Sequence, residues 1–298
     1  MSAHLKLAPF ILVLALPSVV MAELESIADG ELSGVTAQGG LTIDFSGQTG
    51  MQQLRYEDSG EFVAEDIRSG GAGVTAAGNA AGFGQNFDDA RLTLDIGSDG
   101  ALDLLWQSRS GQPMDWGFAV GRVAVGTGTP GPRSAIFNDI EGWGRLLTSR
   151  TSILPPAVSG RGQSTINSYT AFTLENLSSS STRDTIGIEG GYIRSPDFMG
   201  NSVNDMDLDE QIPAWAGAQR GRASSPIDDI RSGFAASETS VYQVQPGQNG
   251  FSDGVLALEI HGFAADVGAA NMTVGNTNMG NMVLDNIQIS DTIVTLTP

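Results

Sequence analysis

The chain has 298 residues and carries 34 acidic against 15 basic side chains, so its formal net charge at pH 7 is −19. Such a negative chain repels nucleic acid and anionic membrane surfaces, and neither is an expected partner. Because the chain contains no cysteine, disulfides, thiolate nucleophiles and cysteine-based zinc or iron sites are excluded.

The first 22 residues have the pattern of an export signal. Lys6 lies in a short basic start, an apolar run follows, and small residues precede an expected cut after Ala22. Pro9 and Pro17 interrupt the apolar run, which is shorter than the roughly 20 residues that a membrane-spanning helix needs. The pattern predicts export to the periplasm, the outer surface or the medium, and a mature chain that begins at Glu23 and has no transmembrane span.

Residues 23–40 form a leader segment ahead of the first predicted strand. The spacing of Leu24, Ile27 and Leu32 favours a turn or two of helix, which the glycine pair at 39–40 would end. Two roles are open for this leader. It contacts another subunit or an envelope partner, for example by adding a strand to an open sheet edge, or it is a loosely ordered terminus.

The rest of the chain has the pattern of β-strands. Residues 91–96 and 101–106 alternate apolar and polar side chains around an Asp99-Gly100 turn, which predicts a hairpin. Residues 255–260 repeat the strand pattern, and the tail at 282–296 is rich in Ile, Val and Thr. These patterns, with frequent glycine, predict an all-β fold, built as a sandwich, a roll or a solenoid-like stack.

Similar strings recur in the same order in the two halves of the chain, which indicates an internal duplication. The first pair reads E-D-I-R-S-G and D-D-I-R-S-G, and the second reads S-D-G-[AV]-L-x-L. The paired strings lie at 65–70 and 228–233, 98–104 and 252–258, 117–119 and 262–264, 125–126 and 274–275, and 137–140 and 284–287.

The duplication predicts two tandem β units, one over residues 41–155 and one over residues 156–298. Residues 41–45 and 172–176 are expected to open the two units. Within the two repeated strings we expect Arg68 and Arg231 to hold the adjacent acids in a cross-strand ion pair. Ligand binding by these two arginines is the alternative, and the ion pair is favoured over it.

Two glycine-rich strings resemble catalytic or cofactor motifs. Residues 250–254 fit G-x-S-x-G and are followed by His261, but a loop precedes them and a strand pattern follows, so a hairpin turn is favoured over a hydrolase elbow. Residues 126–131 fit G-x-G-x-x-G, but Pro130 and Pro132 flank the point where a cofactor-binding helix would begin. We therefore predict no catalytic residues and no cofactor.

An acidic stretch has some features of a calcium loop. Asp205, Asp207 and Asp209 alternate along the chain, but the expected glycine at the sixth position is Glu210 and the twelfth position is Ala216. We predict a solvent-exposed acidic loop and no preformed metal site. A looser calcium site is left open.

The mature start carries a family resemblance. The pattern L-x-x-I-x-D-x-E-L-S-x-V-T-A-Q-G-G-L-T-I over residues 24–43 resembles the opening of a group of exported β-rich proteins of Gram-negative bacteria, some of which are described as components of a Fil-type pilus or filament system. This chain has Ala37 where the group usually has Gly. The resemblance implies a surface or filament-associated role and brings no catalytic residues with it.

Two functions from different classes follow. The first is a non-catalytic structural or adhesive protein of the cell surface, which is pilus or filament associated and binds a protein partner or itself through strand edges. The alternative is a secreted protein that binds or cleaves carbohydrate on a β-sandwich, for which the candidate contacts are the tryptophans. These are Trp106, Trp116, Trp143 and Trp215.

Overall fold

The computed structural model describes residues 40–57, 60–73, 81–127, 131–196, 233–244 and 255–296. They form one antiparallel sheet of 12 strands, and no helix occurs among them. The all-β prediction is confirmed. The short helix expected in the leader lies outside the described residues, apart from Gly40.

The first half of the chain contributes seven strands. They are β1 (Leu41–Gly47), β2 (Thr49–Glu57), β3 (Glu61–Gly70), β4 (Phe87–Ile96), β5 (Leu102–Ser108), β6 (Met114–Gly126) and β7 (Arg133–Leu154). The second half contributes five strands. They are β8 (Thr165–Ser180), β9 (Ile186–Arg194), β10 (Ala235–Gln243), β11 (Leu256–Val274) and β12 (Thr277–Leu296).

The strands of the first half pair in two separate series, and both series end on β7. In one series β1 pairs with β4, β4 with β5 and β5 with β7. In the other series β2 pairs with β3, β3 with β6 and β6 with β7. Only one residue separates β1 from β2, so we treat these two strands as one long, interrupted strand.

The second half repeats this arrangement with fewer interruptions. The single strand β8 pairs with β10 through its first part and with β9 through its second part. Both of these pair with β11, which pairs with β12 along its length. Thus β8 takes the place of β1 and β2, β11 takes the place of β5 and β6, and β12 takes the place of β7.

The cross-strand register is also the same in the two halves at the repeated sequence strings. Gly117 lies opposite Trp143 in the first half, and Gly262 lies opposite Ser290 in the second. The matched residues Asp139 and Asn286 both have a positive φ, of 47° and 52°. A backbone irregularity of this kind is uncommon for residues other than glycine, so its recurrence at matched positions supports the alignment of these two hairpins.

The alignment differs from expectation at two other places. Pairing through β4 and β10 aligns Leu41 with Ile166, so β8 opens the second unit before the expected residues 172–176. The second D-I-R-S-G string lies outside the described residues except for Gly233, which precedes β10. By its pairing, the counterpart of β3 is β9, which ends on Ile193 and Arg194.

The two halves share one continuous sheet. Strand β7 pairs with β8 from Leu154 opposite Thr165 to Asn138 opposite Ser180. The predicted boundary at 155/156 falls in the connection between these strands.

The buried side chains lie along the middle of the sheet and include many small residues. One cluster consists of Tyr169, Ala171, Phe234, Ala236 and Ala264. Another is built on Trp116, Phe172 and Leu174. Ala171, Ala236 and Ala264 lie opposite one another on the adjacent strands β8, β10 and β11, and burial decreases toward β1, β2 and β12.

Gly144 offers a test of the joint between the halves. A Cβ at this position would lie 1.9 Å from the carbonyl oxygen of Thr173 on β8. We expect Gly144→Ala to lower the free energy of unfolding by about 1–3 kcal/mol, because the backbones must separate. Urea denaturation measures this change. Gly50→Ala is the control, since its nearest neighbour would be 3.9 Å away, and equal stability of the two variants would contradict the close approach.

Candidate functional site

Several residues singled out from the sequence lie outside the described part of the chain. These are residues 250–254 of the G-x-S-x-G string, the acidic residues Asp205, Asp207 and Asp209, and Trp215. His261 and the other three tryptophans are described.

The G-x-G-x-x-G string lies in a hairpin connection. Gly126 ends β6 and Arg133 begins β7, and these two strands pair antiparallel. A dinucleotide fingerprint needs a helix after the glycines, whereas a strand follows here. The predicted loop assignment is confirmed at its described flanks.

His261 lies in a row of polar side chains across three strands. Its Nε2 is 2.6 Å from the Oγ of Ser240 on β10. The same hydroxyl donates a hydrogen bond of 2.6 Å to Oδ1 of Asn167 on β8. On β11, Nδ1 of His261 is 3.7 Å from Oε1 of Glu259.

A bulge in β11 brings these groups together. Thr239 lies opposite Ile260 and Glu238 opposite Gly262, so His261 is an extra residue on β11. Glu259 lies directly opposite Ser240, which in turn lies opposite Asn167. The row is therefore produced by cross-strand register, which a linear sequence pattern does not contain.

The row continues toward the connection between β7 and β8. The guanidinium of Arg161 lies 2.5 Å from Oε2 of Glu259 and 4.1 Å above the ring of Tyr242. Burial raises the pKa of the Tyr242 hydroxyl, and the negative charge of Glu259 adds to this effect. Arg161 thus connects the segment after β7 to β10 and β11.

The row has the residue types of a serine hydrolase triad but a different geometry. The distance of 3.7 Å between His261 and Glu259 is longer than a hydrogen bond. Ser240 is only 2% exposed and already donates its proton to Asn167. These features favour a structural role in holding the bulge and the register of three strands. The G-x-S-x-G string pointed to Ser252, whereas the serine beside His261 is Ser240.

A second polar group, centred on Glu61, links strands β2, β3 and β7. The carboxylate of Glu61 on β3 has a side chain with no exposed area and binds Arg133 on β7 at 2.7 and 2.8 Å. Arg55 on β2 binds the same carboxylate at 2.7 Å. The hydrogen bonds from Arg133 hold the pKa of Glu61 below its ordinary value of 4.5, with a further contribution from Arg55.

Arg68 does not hold the neighbouring acids as the string predicted. Its guanidinium lies 5.4 Å from the centre of the Phe83 ring. Glu65 is instead 3.8 Å from Arg122 on β6 and 4.0 Å from Arg133 on β7. The cross-strand ion pairs of this string therefore involve arginines outside it.

Of the three described tryptophans, Trp116 is buried, whereas Trp106 and Trp143 are partly exposed. Trp116 is 8% exposed and stacks on Phe118 at 5.8 Å between ring centres. Trp106 lies 5.1 Å from the ring of Phe45 and 6.4 Å from that of Phe87. Trp143 is half-buried. The buried ring of Trp116 is not available for stacking on a sugar ring.

A small apolar cavity lies between β8, β9, β11 and β12. Its volume is about 110 Å³, and its walls include Leu174, Ile188, Val267 and Met282. Ligand pockets usually have about 300–1,000 Å³ and a few convergent polar groups. The cavity is too small and too apolar for a sugar.

The two outer edges of the sheet are the most accessible feature of the described fold. Within the described residues, β1 has β4 as its only strand partner, β2 has β3, and β12 has β11. Eight of the fifteen exposed large apolar side chains of this part of the chain lie on these three strands. They are Leu41, Met51, Leu54, Tyr56, Met279, Val283, Leu284 and Ile293.

A comparison with protein families finds one match, to a family of unknown function, DUF6160, over residues 1–98. The matched part spans the predicted signal, the leader and the strands from β1 to β4. No curated protein and no solved structure matches the chain.

Among the described residues, no helix has the length and apolar character needed to cross a membrane. In the same part of the chain, no cluster of three or more His, Asp or Glu side chains is arranged to hold a metal ion.

Ser240→Ala tests the structural role of the polar row. Because the variant removes the partner of both His261 and Asn167, we expect the free energy of unfolding to fall by about 1–3 kcal/mol. Urea denaturation measures this loss, with Ser178→Ala as the control because the Ser178 hydroxyl makes only a 3.5 Å contact with the Glu141 carbonyl. An activated ester that the natural chain hydrolyses and the Ser240→Ala variant does not would show instead that the row is catalytic.

Glu61 predicts a pH dependence of stability. Since its pKa is lowered in the folded chain, its stabilising contribution is present above its ordinary value of 4.5 and is lost as the pH falls through the folded value. We expect Glu61→Gln to lower the Tm at neutral pH and to flatten the decline in Tm between neutral pH and about pH 3.

The control for this experiment is Asp44→Asn. Asp44 binds Arg91 at 2.8 and 3.1 Å, and this hydrogen bonding also lowers its pKa. Both partners are more than a third exposed, so solvent screens the pair and its removal has a smaller effect. A Glu61→Gln curve parallel to that of the natural chain would contradict the role assigned to Glu61.

Proposed function

We propose that the protein is an exported, non-catalytic structural or adhesive component of the cell surface, associated with a pilus or filament. The observation that carries this proposal is the pair of long, exposed sheet edges with apolar side chains. An unpaired strand presents a row of N–H and C=O groups that another strand can satisfy. Such edges suit a protein whose activity is association.

The sequence supports export. Residues 1–22 have the pattern of a signal peptide, and the mature start resembles that of exported β-rich proteins of Gram-negative bacteria. The sheet itself suits this location, because its stability comes from backbone ladders and buried ion pairs and requires no disulfide.

The polar groups of the described fold support a non-catalytic role. Glu61 binds two arginines, and Ser240 has both Asn167 and His261 within hydrogen-bonding distance. Each of these groups is engaged with side chains of neighbouring strands. They stabilise the sheet and leave its edges as the accessible surface.

The location is tested by expressing the full chain in a Gram-negative host. We expect the mature protein to begin at Glu23, to be labelled by antibody on intact cells, and to appear in the fraction released by shearing. Amino-terminal mass spectrometry and immunolabelling measure these properties. Retention of residues 1–22, or restriction to the periplasm, would contradict the proposal.

A glycan array separates the proposed function from the alternative. We expect no glycan signal and no change on Trp106→Ala or Trp143→Ala beyond a loss of stability. A signal that either substitution abolishes in a folded variant would favour carbohydrate binding instead.

A further inference from the structure

The pairing of β7 with β8, which we call the internal joint, indicates how two copies of the chain can pair with each other. Strand β7 is the last strand of the first half, and it pairs with β8, the first strand of the second half. Strand β12 occupies the position of β7 in the second half, and β1 with β2 occupies the position of β8 in the first. The structure therefore contains one such joint, between β7 and β8. It also contains the strands for a second one, namely β12 and the pair β1 and β2.

We propose that β12 of one copy pairs antiparallel with β1 of a second copy, head to tail, as β7 pairs with β8 within the chain. The partner is thus a second copy of this chain. This inference rests on the proposed structural role and specifies how the subunits associate.

The register of the contact follows from the internal joint. Ser152 lies opposite Asn167 there. Pairing through β5 and β11 aligns Ser152 with Thr295, and pairing through β4 and β10 aligns Asn167 with Thr42. The proposed contact therefore places Thr295 of one copy opposite Thr42 of the next.

The residues beside this pair suit a β ladder. In the same register Val294 faces Ile43, and Thr292 faces Phe45. Pairs between β-branched residues, and between β-branched and aromatic residues, are favourable across antiparallel strands. These two pairs are of the kind that stabilises a sheet, whereas Ile293 faces Asp44 in the same register.

The β12 edge lacks two of the usual protections against pairing. Natural edge strands are often short or carry Lys or Pro, whereas β12 has 20 residues and contains neither. Asn286 and Asp291 give β12 a positive φ at two positions. The matched irregularity at Asp139 does not prevent β7 from pairing with β8.

The two edges of one copy differ from each other, so the contact is heterologous. A heterologous contact leaves one edge open at each end of a growing chain and produces a ring or an open filament. The net charge of −19 opposes association at low ionic strength, and added salt screens this repulsion. Assembly should accordingly increase with salt concentration.

Site-directed cross-linking tests the pairing, because the chain contains no cysteine of its own. Thr42→Cys and Thr295→Cys each introduce a single thiol into the mature full-length chain. We expect a mixture of these two variants to form a disulfide-linked dimer with a yield several-fold above that of either variant alone. Mass spectrometry of the linked peptides identifies the joined residues.

Two controls calibrate the cross-linking yield. The double variant Ser152→Cys with Asn167→Cys places thiols at the matched positions of the internal joint and should link within one chain. Asn281→Cys lies toward the other end of β12 and should not link to Thr42→Cys. Equal yields for Asn281→Cys and Thr295→Cys would overturn the proposed register.

Other occupants of the edges give different results. If the double variant Thr42→Cys with Thr295→Cys forms only an internally linked monomer, the chain closes on itself and the proposal is wrong. If the mixed variants link only after deletion of residues 23–39, the leader occupies the edge in the full chain, and the proposal is again wrong.

The failure of this inference is distinguishable from failure of the proposed function. Chains that are labelled on intact cells and sediment as assemblies, but give no Thr42–Thr295 link, would overturn the head-to-tail pairing alone. Chains that never reach the surface would count against the proposed function whatever the cross-linking shows.

Discussion

The antiparallel ladder between β7 and β8 is the interaction on which the rest of the structure depends. It joins two sets of strands that have the same internal pairing, and it extends from Leu154 and Thr165 to Asn138 and Ser180. Because backbone N–H and C=O groups must be satisfied when they are buried, this ladder makes one sheet out of two repeated arrangements. It also determines which strands are left as outer edges.

Small residues occupy the closest contacts between neighbouring strands in the middle of the sheet. Gly144 lies against the backbone of β8, and Ala171, Ala236 and Ala264 are fully buried within one cluster. Larger side chains such as Trp116 and Phe172 fill the wider space in another cluster. Toward the edges this packing ends, and the cross-strand ion pairs there, such as Asp44 with Arg91, are exposed to solvent.

Local sequence patterns predicted the strands and one repeated hairpin. The cross-strand register could be determined only from the structure. The strings at 117–119 and 137–140 aligned correctly with their counterparts because the hairpin that contains them is local in sequence. The D-I-R-S-G strings did not define equivalent strands, because long-range pairing aligns β3 with β9. Similarly, the row at His261 depends on a bulge in β11 that brings His261 within reach of Ser240, and the alternation of side chains along the strands does not reveal this bulge.

The exposed sheet edges and the negative net charge have opposite effects on association between chains. Long apolar edges promote unspecific pairing between any two β proteins, and a net charge of −19 opposes the approach of another copy at distances beyond the reach of hydrogen bonds. Backbone hydrogen bonds and cross-strand packing act only at short range, when two edges are aligned. In the proposed assembly, charge therefore disfavours poorly aligned contacts, while an in-register ladder of the kind between β7 and β8 supplies the short-range attraction.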